Sequence, residues 1–123
     1  MAKVLGLGGI MFKSKDPEKL GEWYKKWLGI PVKGAYGAAL PIADLPPNVK
    51  TAWAPFAADT TYFAPSTQAF MFNLVVDDLA GILKQIEEGG GTIIGEPEDS
   101  PYGKFGRFLD PEGNKVELWE VVR

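Results

Sequence analysis

The sequence FGRFLDPEGNKVELWE, residues 105–120, holds two apolar runs separated by Asp110-Pro111-Glu112-Gly113-Asn114. Those five residues make a turn: Pro presets φ, Gly accepts positive φ, and Asp and Asn bond to their own backbone. The spacing predicts a hairpin of strands over 104–109 and 115–122. In the second strand Glu117, Trp119 and Val121 fall on one face, Val116 and Leu118 on the other. Both faces are largely apolar, as in a strand buried on both sides. A carboxylate there loses hydration at a cost of several kcal/mol unless it is paired or protonated. Glu117 therefore needs a partner or a task.

Working outward, FMFNLVV at 70–76 is a β-branched and aromatic run that ends at Asp77-Asp78, a helix cap. Leu79, Ile82, Leu83 and Ile86 follow at helical spacing, and Gly89-Gly90-Gly91 stops that helix. A short strand is expected at 92–94. The same order is found earlier in the chain. VLGLGGIMFK at 4–13 reads as a strand, and its glycines as backbone freedom within it rather than a dinucleotide loop. Asp16 then caps a helix with Pro17 at its first position. Leu20, Trp23, Tyr24, Trp27 and Leu28 share one face of that helix, a face suited to core or dimer contact. Gly29 and Pro31 end it. Short strands are expected at 35–42 and 50–56, around a turn at 45–48. A β-α-β-β-β unit thus occurs twice within a single domain of 123 residues. Module 1 spans about 1–57, a linker 58–69, and module 2 about 70–123.

Composition narrows the chemistry. The chain has no cysteine and no histidine, and its net charge is −3. Disulfides, thiol nucleophiles, Ser-His-Asp triads and the commonest transition-metal ligand are excluded. With no basic tract, a nucleic-acid partner is not expected. No apolar stretch is long enough for a membrane span and none reads as a signal, so a cytoplasmic protein is expected.

The paired modules, Asp16-Pro17 ahead of WYKKWLGI, and above all residues 105–120 resemble the vicinal oxygen chelate superfamily of glyoxalase I, bleomycin-resistance proteins and extradiol dioxygenases. The resemblance implies an α+β fold of paired β-α-β-β-β modules. Their curled mixed sheets form a cup around the ligand site, usually in a homodimer. It also implies four metal-ligand positions, which fall here on Gly9, Trp53, Met71 and Glu117. Only Glu117 is a competent donor for a hard or borderline divalent ion. One carboxylate makes a weak site, so no cofactor is expected and a divalent metal is disfavoured.

Glu117 is the candidate catalytic residue, as general acid or base, or else an anchor for a cationic ligand group. The alternative is a structural carboxylate satisfied by Arg107, Lys13 or a backbone amide. Lys13 occupies a position where the resemblance implies a substrate-binding cation, though a solvated strand-end lysine fits as well. In 70–76, Met71, Asn73 and Val75 face the cup while Phe72, Leu74 and Val76 lie under the helices. Asn73 is suited to orient a ligand amide or hydroxyl, or to bond a neighbouring strand. Trp53, Tyr62, Tyr102 and Trp119 supply an aromatic lining, and Arg107 a cation. Glu96, Glu98 and Asp99 read as a solvated acidic loop.

Three functions follow. The first is a metal-free protein that binds a small, partly aromatic molecule. The second is a glyoxalase-like lyase or isomerase in which Glu117 moves a proton. The third is a dimerisation domain with a vestigial cup. The missing metal ligands and the aromatic lining favour the first.

Overall fold

Asp16 and Pro17 begin a helix as the spacing predicts. In the computed structural model, which describes every residue except Ala35, Tyr36 and Arg123, α1 (Pro17–Leu28) starts where the Asp16 carboxylate accepts the Lys19 amide at 3.1 Å. It stops at Gly29, whose φ of 70° is the left-handed cap that glycine adopts without strain. The second half supplies the sheet. Its elements are β1 (Phe72–Val75), α2 (Leu79–Glu88), β2 (Thr92–Ile93), β3 (Glu98–Ser100), β4 (Gly103–Leu109) and β5 (Lys115–Val121). Asp78 caps α2 by accepting the Gly81 amide, and Glu120 of β5 accepts that of Leu79.

The sheet is mixed. β1 lies parallel to β5, with Asn73 opposite Glu117, and β5 runs antiparallel to β4, with Arg107 opposite Glu117. Both β2 and β3 pair antiparallel with β4. Strand alternation sends Val116 and Leu118 to one face, where Phe72, Leu79, Ile86 and Phe108 join them in the core with Leu20 and Tyr24 of α1. Each such side chain contributes about 1.5–3 kcal/mol through burial. Trp23 and Tyr24 belong to this packing: the Trp23 indole donates to the Gly89 carbonyl at 2.8 Å, and Tyr24 reaches Asp110 at 2.8 Å. The same alternation puts Asn73, Glu117 and Trp119 on the opposite sheet face, away from this core.

The hairpin turn also ties the two halves together. Glu112 reaches back to the start of α1, accepting the Ser14 hydroxyl at 2.7 Å and the amides of Lys15 and Asp16 at 3.0 and 3.3 Å. Its slight burial raises the carboxyl pKa, but these three bonds outweigh that and hold it below its ordinary 4.5. A depressed carboxylate stabilises the fold above its unfolded pKa and loses that contribution as pH falls through the folded value. Thermal melts between pH 6 and pH 3 are expected to show Glu112→Gln nearly equal to wild type at the acid end and weaker above about pH 5. Parallel profiles for the two proteins would remove Glu112 from this role.

The α+β class and the hairpin are as the sequence predicts; the first half and one loop differ. Residues 4–13 form no strand and pair with none among the described residues, and 50–56 likewise form none. The strand expected at 35–42 begins on Ala35 and Tyr36, outside the described residues. Residues 37–41 form no strand, and Ile42–Asp44 is a single 3₁₀ turn. The sheet therefore stays open on the side of β1 instead of curling into a two-module cup. An apolar run becomes a strand only against a partner, and within one chain this run has a side-chain foothold, Phe12 against Phe72 and Phe70 with ring centres 4.7 and 6.1 Å apart. The acidic loop is also corrected. Glu98 and Asp99 lie in β3, because Glu98 and Ser100 pair across to Phe105 and Gly103 of β4.

Candidate functional site

Glu117 sits mid-way along β5 on the face opposite the core, between Asn73 of β1 and Arg107 of β4. The register puts three donors on its two oxygens. Asn73 Nδ2 donates to Oε1 at 2.9 Å, the Tyr62 hydroxyl donates to Oε2 at 2.8 Å, and Arg107 Nη2 lies 3.2 Å from Oε2. The side chains of Arg107 and Glu117 are only 15% and 13% exposed, so this is a largely desolvated pair. Arg107 Nη1 also meets Glu98 at 3.1 Å, but Glu98 is mostly in solvent. Among the alternatives the sequence left open for Glu117, Arg107 is the partner; Lys13 is exposed and outside the cluster.

Tyr62 completes the cluster from the linker. Arg107 Nη2 donates to its hydroxyl at 3.3 Å, and the Lys115 ammonium donates to its carbonyl and lies 4.9 Å from its ring centre. Burial and the hydrogen bond to Glu117 push the Tyr62 phenol up, so it stays protonated and serves as a donor. Burial lowers the Arg107 pKa, but its bond to Tyr62 and the charges of Glu117 and Glu98 outweigh that and raise it. Lys115 is lowered by burial and by the Arg107 charge, with Glu117 offsetting part of it.

Above the cluster opens a broad cleft of about 1960 Å³ lined by Tyr62, Met71, Asn73, Tyr102, Phe105, Glu117 and Trp119. Phe105 and Trp119 stack with nearly parallel planes, ring centres 5.9 Å apart and 6° between planes. The Trp119 indole donates to the Tyr102 carbonyl at 2.9 Å. That approach depends on Gly103 at φ 131°, where a Cβ would collide with the Glu120 carbonyl. The structure thus brings together Glu117, Asn73, Arg107 and Tyr62, and sets Met71, Tyr102 and Trp119 on the same cleft. Lys13 and Trp53 are exposed and do not line it. Lys115 was missed by sequence reasoning; its place beside the hairpin turn in a double-sided apolar strand was the available signal.

Residues 6–118 match the family model of the Glyoxalase/Bleomycin resistance protein/Dioxygenase superfamily. The chain belongs to this superfamily. Among solved structures, TnmS3, an antibiotic-binding protein from Streptomyces sp. CB03234, is 21% identical over 88% of each chain with a TM-score of 0.53. TioX from Micromonospora sp. ML1 is 17% identical over 89% of this chain and 93% of its own, with a TM-score of 0.54. At these identities the likeness shows the superfamily fold. Some alignments are shorter: that with hypothetical protein SA1046 from S. aureus, 21% identical with a TM-score of 0.38, covers 43% of each chain. No curated protein matches the chain. No helix among the described residues is long and apolar enough to cross a membrane.

The superfamily's metal site is a test of the residues present. Of the four positions implied by resemblance, Met71 and Glu117 line the cleft and Gly9 and Trp53 do not. Among the described residues no three His, Cys, Asp or Glu side chains come together. Both Glu117 oxygens already accept bonds, and the Arg107 guanidinium stands beside them where a divalent cation would be repelled. This donor set does not fit a metal ion.

Proposed function

We propose that the protein binds a small, partly aromatic molecule without a metal, as a cytoplasmic homodimer. The observation that carries this reading is the state of Glu117. Its oxygens are held by Asn73, Tyr62 and Arg107, which makes a fixed polar anchor beneath the Phe105–Trp119 stack. Apolar walls with a few placed polar groups suit ligand capture. The shared fold with TnmS3, described as an antibiotic-binding protein, supports it.

A second copy is supported by the unfinished first half. Val4, Leu5, Ile10 and Met11 are all exposed, and large apolar side chains left in water together suit an interaction face. The cleft exceeds the roughly 300–1,000 Å³ of a small-molecule pocket, so a wall from a partner would bring it to ligand size. Sedimentation that returns only monomers at micromolar concentration would remove the second copy from this reading.

The test is a panel of planar aromatic natural products, scored by thermal shift on tag-free, chelator-treated protein. At least one micromolar ligand is expected, giving about 2.7 kcal/mol of stabilisation at a hundredfold excess over Kd. Glu117→Gln is expected to weaken it about tenfold or less, the effect of one weakened hydrogen bond. Manganese, nickel or zinc is expected to leave the melt unchanged. A metal shift that Glu117→Gln abolishes, or turnover lost in that variant, would make a glyoxalase-like lyase the function instead.

A further inference from the structure

Residues 57–66 wall one side of the cleft as a lobe packed mainly on itself. The amides of Thr60, Ala64 and Ser66 bond back to the carbonyls of Ala57, Thr61 and Phe63 at 3.0–3.1 Å. Phe56, just ahead of the lobe, stacks on Tyr62 at 5.6 Å, and Phe63 tilts against it at 5.2 Å. Most other side chains here are small or polar. Among the described residues, every hydrogen bond from this lobe to the sheet passes through Tyr62: its hydroxyl to Glu117 and Arg107, its carbonyl to Lys115. Lys115 is only 6% exposed and forms no ion pair among the described residues. A buried ammonium is costly unless its hydrogen bonds are made, and here its acceptor is the Tyr62 carbonyl.

We propose that residues 57–66 are a hinged wall of the cleft latched at Tyr62, and that Lys115 is the positioning residue that keeps the latch closed. The latch and the ligand anchor share one carboxylate. Among the described residues, Oε1 of Glu117 accepts only from Asn73, whereas Oε2 accepts from Tyr62 and Arg107. A ligand donor that takes Oε1 leaves the wall in place. One that takes Oε2 displaces the Tyr62 phenol and releases the wall. Ligand choice and wall position are therefore one coupled equilibrium. The use of the latch rests on the ligand-binding reading; the latch itself does not.

The lobe offers its own assay, because chymotrypsin cleaves after Tyr62 and Phe63. When opening is fast relative to cleavage, nicking under native conditions reports the open population. Wild type is expected to be nicked slowly at these two bonds. Lys115→Met, which keeps the apolar stem and removes the ammonium, is expected to be nicked there about tenfold faster, the effect of one lost hydrogen bond to a charged group. Cleavage elsewhere should stay unchanged, and Lys115→Arg should restore protection. Tyr62→Phe keeps the carbonyl contact and a cleavable aromatic, so it provides a second reading if Lys115→Met does not fold. It is expected to be nicked faster than wild type at the same bonds. Wild-type rates in the variants, or acceleration at all sites in step with lowered Tm, would overturn the latch. A ligand panel without hits would overturn the binding function and leave this nicking pattern as it is.

Discussion

Asp110→Ala is expected to cost about 3–5 kcal/mol of stability, a large share of the 5–15 kcal/mol that holds a domain together. The carboxylate is 5% exposed and accepts four bonds. Oδ1 takes the amides of Glu112 and Asn114, while Oδ2 takes the Asn114 side chain and the Tyr24 hydroxyl. Alanine would strand all four donors, two of them side chains in the interior, and a stranded buried donor costs about 1–3 kcal/mol. The loss is not confined to the turn. Tyr24 belongs to α1, and its phenol is pushed well above its ordinary range by burial and by Asp110. Glu112 in the same turn holds the start of that helix. Tyr24→Phe removes one of the four bonds and is expected to cost about 1–2 kcal/mol. Urea melts would check both; a loss under about 1 kcal/mol for Asp110→Ala would mean that the turn does not join the halves in this way.

The second half was legible in the sequence because its signals are local and agree. The Asp110–Asn114 turn, the alternation along 115–121 and the Asp78 cap each point to the same hairpin and helix. The turn sets Leu109 opposite Lys115 and so Arg107 opposite Glu117, but the parallel register of β5 against β1, which brings Asn73 to Glu117, could not be read from the sequence. The first half misled for a related reason. Residues 4–13 have the composition of a strand, but a strand is a property of a pair, and no strand among the described residues pairs with them. Lys13 and Trp53 lie on stretches expected as strands that do not form, and both fall outside the cleft. The sequence marks Tyr62 by its ring alone; that its hydroxyl and carbonyl meet three side chains of the sheet follows only from the path of the linker. Glu98 carried the signature of a solvated loop because its partners in β4 lie several residues further on, across a turn that the sequence reading did not identify.

The pair at the centre of the cleft is expected to behave as a unit. Arg107→Ala leaves the Glu117 carboxylate desolvated beside Asn73 and Tyr62 without its counter-charge, which costs about 3–5 kcal/mol for a buried pair. Glu117→Gln is milder, about 1–2 kcal/mol, because the amide oxygen still accepts from Tyr62 or Arg107. The Arg107–Glu98 contact has nearly the same length, 3.1 Å against 3.2 Å. Exposure separates the two: Glu98 is 66% exposed and Glu117 13%. Glu98→Gln is therefore expected to cost about 1 kcal/mol or less. In the double variant of Arg107→Ala and Glu117→Gln the stranded charge is gone, so the two losses should fall short of their sum by at least about 1 kcal/mol. Additivity within about 0.5 kcal/mol would mean that Arg107 and Glu117 act independently, and Glu117 would then no longer be the fixed anchor on which the binding reading stands. If the coupling is found, Arg107→Ala should also weaken an identified ligand more than Glu117→Gln does. An anchor loses more from being released than from losing its charge in place.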